Sequence, residues 1–205
     1  GEATAITESS AVWANVACTA RKRACLMKWS AELGADALFS MSDTLAEYMG
    51  RALGIQEDTE FIQGADEAAM GNVSGLEYTT HTAVVGAGSG WGDLTLANLV
   101  TTVGTLPDKY VSGGASWLMS RAAWSQICLR VVSAAGGNTI DSLGVGSTGA
   151  QLLGYPVNFS DQAPTSEGTS QETMWFGNFS DAAVFATRSG IELATSEHVN
   201  FAEDQ

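Results

Sequence analysis

Two histidines, three cysteines, several carboxylates and a run of glycines are the residues from which this chain would most readily build chemistry. His81 and His198 are its only imidazoles. Neither sits in a His-x-x-x-His or His-x-x-Glu-His pattern, so no helix face offers two nitrogens to one metal ion. A nucleophile–base pair would need one of them in a role that no sequence neighbour supports, and a lone histidine is more often a surface or packing residue. No Gly-x-Ser-x-Gly elbow exists, because Ala87 and Val145 stand where the serine would be. Cys18, Cys25 and Cys128 are odd in number and lack ligand spacing, which reads as reduced, buried thiols rather than a disulfide framework or a zinc site.

The glycine run from Gly86 to Gly92 follows an apolar stretch and precedes a helical pattern, which invites a dinucleotide reading. The spacing fails. Trp91 or Asp93 occupies the position of the third glycine, and no Gly-Lys-Ser/Thr is present. A mobile loop is the better reading. Glu57, Asp58, Glu60, Asp66 and Glu67 are close enough for a hydrolytic pair or a weak divalent-cation site. Their spacing fits the solvated side of a helix better. No catalytic, metal or cofactor-binding residue is assigned.

The balance of 23 acidic against 9 basic residues gives a net charge of −14. Such a surface repels phosphate and argues against sequence-specific nucleic-acid binding. Four of the nine basic residues, Arg21, Lys22, Arg23 and Lys28, lie together. Charge of this kind blunts a strand edge. It also makes a patch that can meet acid on a neighbouring copy of the chain. No apolar run approaches the roughly 20 residues that span a bilayer. Three Asn-x-Ser matches, at Asn72, Asn158 and Asn178, read as coincidence.

The elements that must position these residues follow from periodicity. Cys25, Met27 and Trp29 alternate as one face of a strand over 23–30. Thr44 and Glu47 form a capping box that opens a helix with Leu45, Tyr48, Met49, Ala52 and Leu53 at helical spacing. The pattern runs to about Ile62 and stops at Gly64, roughly 30 Å of rod. Gly50 and Gly54 lower its stability by roughly 1 kcal/mol each and mark places for close backbone packing. A short strand is expected at Thr82–Val85. Asp93 caps a helix over Leu94–Val103 with Leu96, Leu99, Val100 and Val103 as its stripe. Ala115–Met119 reads as a buried strand, and Ser120 caps a helix carrying Trp124, Ile127, Cys128, Val131 and Val132. Glycines at 136, 137, 144, 146 and 149 make a long loop. Strands are expected near Gln151–Leu153, Val157–Ser160, Thr173–Phe176 and Ala182–Thr187, with a last extended segment from Ile191. Strands and helices in this order predict an α+β fold.

Several segments then resemble one family in order along the chain. Leu152–Asp161 contains the run LLGYPV, which resembles a signature of tailed-phage major capsid proteins with the Hong Kong ninety-seven fold. Phe176–Ser180 is similar to that family's FGDFS turn, Glu57–Gly64 to its acidic helix end, and Ala115–Ser120 to its WVMN strand. Ala24–Ala31 and Gly190–His198 are similar to its flanking segments. The resemblance implies a peripheral domain of a long spine helix plus β-strands (residues 1–68), an axial domain of mixed sheet flanked by helices (69–185), and a return to the peripheral domain (186–205). Leu45, Tyr48, Met49, Ala52 and Leu53 would be the core of the spine helix. Gly136, Gly137, Asn138, Asp141, Gly144 and Gly146 would belong to an axial loop that touches neighbouring subunits, and Arg21, Lys22, Arg23 and Lys28 to a basic contact patch.

The implied function is that of a structural protein, not an enzyme. It would self-assemble into pentamers and hexamers of an icosahedral shell around double-stranded DNA, without cofactor or membrane. Scaffold, portal and maturation protease would be its partners, and the bacterial cytoplasm its place of assembly before the virion. The expectation is a truncated core lacking the N-terminal arm, most of the extended loop and the last peripheral strand. Asn200–Asp204 carries acid where relatives place a cross-linking Asn, so no cross-link is expected. The alternatives are an encapsulin-like cellular shell protein and an acidic hydrolase with a Gly-rich loop.

Overall fold

The computed structural model describes residues 19–29, 40–65, 73–79, 81–88, 90–134, 150–168, 171–183 and 186–194. In chain order the regular elements are helix α1 (Met41–Gln63), α2 (Leu96–Thr105), the one-turn α3 (Asp108–Val111), strand β1 (Ser116–Met119) and α4 (Arg121–Ala123). A π turn (Trp124–Cys128) leads into α5 (Leu129–Ala134). Then come β2 (Gln151–Leu152), β3 (Tyr155–Phe159), β4 (Met174–Gly177) and the one-turn α6 (Phe179–Ala182). The α+β class is as the sequence predicts.

Helix α1 begins earlier than the Thr44–Glu47 box suggests. Ser40 is the N-cap, and the Thr44 hydroxyl turns back to donate to the Ser40 carbonyl at 3.1 Å instead of capping forward. Its end is where the sequence places it, for a reason the sequence does not display. Ala65 bridges Ser74, and the Gly75 N–H donates to the Gly64 carbonyl at 2.7 Å. A Cβ on Gly64 would strike the carbonyl oxygens of Glu60 and Val73. Gly64 has φ −57°, so a crossing chain, not a left-handed turn, demands the glycine. The expected apolar core of α1 differs from what is found. Leu45, Met49 and Leu53 are only half-buried and Tyr48 and Ala52 are exposed, whereas the buried side chains are Glu60 and Ile62 in the last turns.

The sheet order is β2-β3-β1-β4. Central β1 runs parallel to β3, with Trp117 opposite Val157, and antiparallel to β4, with Trp117 opposite Phe176. Both faces of β1 are covered, which explains why it reads as an unbroken apolar run. Trp117 and Met119 point to a core with Trp91, Leu99, Ala123, Ile127, Cys128, Leu152 and Val157. Leu118 points the other way, to a smaller cluster of Ile62, Ala163 and Trp175. The end of α1 therefore packs on the far face of the sheet. The Trp117 indole donates to the Leu152 carbonyl at 3.1 Å, and its ring lies 4.7 Å from that of Phe176.

Ser120 caps as predicted: its hydroxyl accepts the Ala123 N–H at 3.2 Å. The following helix buries Ile127, Cys128 and Val131 but widens to a π turn at Trp124–Cys128. Helix α2 starts two residues later than expected. Thr95 and Asn98 form its capping box, while the Asp93 carboxylate closes the preceding 3-10 turn, Trp91–Asp93. Of its predicted stripe Leu99 is buried and Val103 partly so; Leu96 and Val100 are exposed. No ladder forms at 23–29, 82–85, 182–183 or 186–187 among the described residues, and a helical turn ends at Ala182, where the strand Ala182–Thr187 was expected to begin. A strand gains its stability from cross-strand pairs, and periodicity alone supplies none.

Candidate functional site

The glycine loop is the first place to look for a ligand, and its own protein fills it. The Trp91 N–H donates to the Glu167 carboxylate at 2.8 Å and the Gly90 N–H to Asp93 at 3.2 Å. A phosphate at these amides would meet two carboxylates instead of free donors. The loop is also tied down where the sequence suggested mobility. The Trp91 ring is buried, with its indole N–H on the Thr173 hydroxyl at 3.1 Å. From α5, the Arg130 guanidinium donates to the carbonyls of Gly92 (2.7 Å), Trp91 (2.8 Å) and Leu94 (2.8 Å). The C-terminal carbonyls of the 3-10 turn are thereby satisfied by one side chain. Arg130 and Glu167 were missed in the sequence, since neither belongs to a local motif.

Nor do the titratable residues assemble a reaction centre. His81 has both ring nitrogens engaged, one with the Thr79 carbonyl at 2.6 Å and the other with Glu172 at 2.5 Å. Neither nitrogen is left to take a proton from a nucleophile. Burial pushes the Cys128 thiol up to about 12, so no thiolate forms near neutrality. Among the described residues no group of three or more His, Cys, Asp or Glu is arranged to hold a metal ion. None of the described helices is long and apolar enough to cross a membrane. His198, Asp66 and Glu67 lie outside the described residues.

The acidic end of α1 does something the spacing did not predict. Glu60 was grouped with the solvated carboxylates, yet its side chain is only 1% exposed. Arg23 Nε donates to it at 2.8 Å, a second Arg23 nitrogen also reaches it, and Gln56 donates at 3.0 Å. Arg23 meets Glu57 as well, at 3.4 Å. One member of the expected basic patch is thus committed within the chain, while Arg21, Lys22 and Lys28 stay exposed. The axial-loop residues Gly136, Gly137, Asn138, Asp141, Gly144 and Gly146 lie outside the described residues.

The described surface carries large apolar side chains. Leu26 is 83% exposed, Val85 79% and Ile191 84%, and Tyr48, Tyr78 and Val100 are also open. Apolar surface of this kind is what contact between chains uses. The phage capsid family model matches residues 1–205, the whole chain. The chain belongs to the phage capsid family. As a capsid-family chain it is a structural protein, and its place is the capsid of a phage-like particle. Comparison with curated proteins returns no match. Among solved structures it is similar to the capsid of a native GTA particle computed with C5 symmetry, at 22% identity and a TM-score of 0.48, over 73% of this chain and 53% of that one. The capsid of an empty GTA particle, also computed with C5 symmetry, gives 18% identity and a TM-score of 0.46, over 73% and 52%. The capsid-family chain thus spans about half the length of those solved chains.

Proposed function

We propose that this chain forms the shell of a tailed-phage head as part of its major capsid protein, self-associating into pentamers and hexamers around double-stranded DNA. The observation that carries the reading is the capsid-family match over residues 1–205. Family order along the chain supports a peripheral domain over 1–68, an axial domain over 69–185 and a return over 186–205. The work is mechanical. Each contact is modest, but contacts repeat around a closed ring and then over the shell.

Two regions are assigned to contact. The Gly-rich stretch 136–149 is read as the axial loop, where glycine freedom lets one sequence fit rings of two sizes. Arg21, Lys22 and Lys28 are read as a cationic rim that meets acid on the adjoining copy. A net charge of −14 suits a wall along which packaged DNA slides without sticking. Scaffold, portal and protease are the further partners this reading entails, with assembly in the host cytoplasm.

Electron microscopy of the full-length protein tests the proposal. Rings, sheets or closed shells are expected, and their absence under every assembly condition would overturn it. Tight, salt-sensitive retention of DNA by the isolated chain would count equally against it.

A further inference from the structure

We propose that the outer face of α2 is a two-fold contact with a second copy of this chain, the two helices crossing antiparallel about Val100. The inference does not rest on the shell reading, whose ring contacts join two different surfaces; a two-fold contact joins one surface to itself. It starts from a mismatch between pattern and packing. Leu96 and Val100 belong to the apolar stripe of α2, yet the core takes Leu99 and part of Val103 and leaves Leu96 open and Val100 53% exposed. Ala97, Thr101 and Gly104 lie beside them on the helix surface and are exposed too. The threonine adds no free donor to this face, because its hydroxyl donates to the Ala97 carbonyl at 2.8 Å. From 94 to 107 the chain carries no charged residue, in a protein of net charge −14. Copies that repel elsewhere can close here without bringing acid against acid.

The face complements itself in shape and in charge. Leu96, Val100 and Gly104 follow one another at four-residue steps, the ridge along which helices interlock. A half-turn about Val100 sets Leu96 of one copy against Gly104 of the other. Nothing lies within 4 Å of a Cβ at Gly104, so that space is open and a second backbone can come close. The ends match as well. Beside Leu96, a cleft of about 300 Å³ is lined by Leu94, Val131 and Ala134 together with Arg130. Among the described residues the partners of Arg130 are all neutral carbonyls, those of Trp91, Gly92, Leu94 and Gln126. They take four of its five N–H groups, and its charge meets no carboxylate. Past the other end of α2, Asp108 opens α3 and is exposed. The half-turn carries Asp108 of one copy toward Arg130 of the other, which supplies the missing acid. The remaining charges at the two ends, Asp93 and Lys109, are also opposite in sign.

A helix of 10 residues is about 15 Å long and offers less than the roughly 800 Å² per partner of a standard interface. The pair is therefore weak, with a dissociation constant expected between about 1 μM and about 1 mM. Sedimentation velocity of the chain from about 10 μM to about 1 mM should show a reversible monomer–dimer step. Val100→Asp puts a charge at the crossing point and should weaken that step at least about tenfold. Val100 is half in water, so the fold should survive the change. Gly104→Gln fills the space Leu96 needs and should weaken the step as much. It should melt no lower than the unaltered chain, because it replaces a helical glycine at a place where its own copy offers no obstruction. A chain that stays monomeric at about 1 mM overturns the proposal. So does a dimer that either variant keeps at full strength. Neither result touches the shell reading, which microscopy of the full-length protein tests separately.

Discussion

Arg23 reaches across 37 residues of sequence to place its Nε 2.8 Å from Glu60, a carboxylate 1% exposed at the end of α1. The pair joins the segment before the long helix to the turn that packs on the sheet. Its strength is uneven, because Glu60 is buried while Arg23 keeps a quarter of its side chain in water, at 24%.

Removing the cation should therefore be worse than removing the anion. Arg23→Met leaves a buried carboxylate with Gln56 alone, and the expected loss is about 2 kcal/mol, less than for a fully buried pair. Glu60→Gln leaves Arg23 where water can reach it and should cost less. Urea midpoints rank the two variants, and the reverse order would refute the asymmetry. The hydrogen bond to Glu60, against desolvation and with the charges of Glu60 and Glu57, raises the Arg23 pKa above its ordinary value. A raised cation contributes in full below its unfolded value, so titrating from neutrality to pH 10 should leave this contribution unchanged.

Cys128 provides a second pH test. Burial raises its thiol from 9.0 to about 12. A folded value above the unfolded one means the stabilisation is complete below pH 9 and declines from there to about 12, as the unfolded chain gains thiolate that the folded chain refuses. Iodoacetamide at pH 8 should leave Cys128 unmodified in the folded chain and label it in urea, with Cys25 reacting in both. Peptide mass spectrometry reads the outcome.

Glycines separate by environment. Gly50 and Gly54 sit in α1 with open space where a Cβ would be. Alanine at either should stabilise the isolated chain by about 0.5–1 kcal/mol. If the close backbone packing the sequence suggests at either glycine is with another copy, the same alanine should impair assembly. Gly64→Ala should instead be strongly destabilising, because the obstructing atoms are backbone carbonyls of Glu60 and Val73. Thermal melts compare the three, and equal shifts would contradict the packing described.

The β2–β3 turn is the last test. Leu153 has φ +53° and Gly154 φ +85°, two positive values in succession as a two-residue hairpin of the I′ kind requires. Nothing lies within 4 Å of a Cβ at Gly154, so Gly154→Ala isolates the backbone term at about 1–2 kcal/mol. Leu153 tolerates the same region because its side chain packs against the main core. Chemical denaturation should show the loss, and no change would mean the turn has another geometry.

Local pattern carried much of this protein. The apolar run at 115–119 gave a central strand, Ser120 a real cap and Gly64 a real stop. The ordered resemblance of short segments pointed to the capsid family that the whole-chain match then showed. These are relationships among residues a few positions apart, which composition and spacing express directly. Tertiary structure alone decided which carboxylate was buried, which arginine was spent inside the chain, and that the glycine loop was fastened down. Arg23 meets Glu60 over 37 residues, Arg130 meets the Trp91 carbonyl over 39, and Trp91 meets Glu167 over 76. A charge is cheap in water and costly when buried, so its role depends on which distant segment covers it, and no local spacing records that choice.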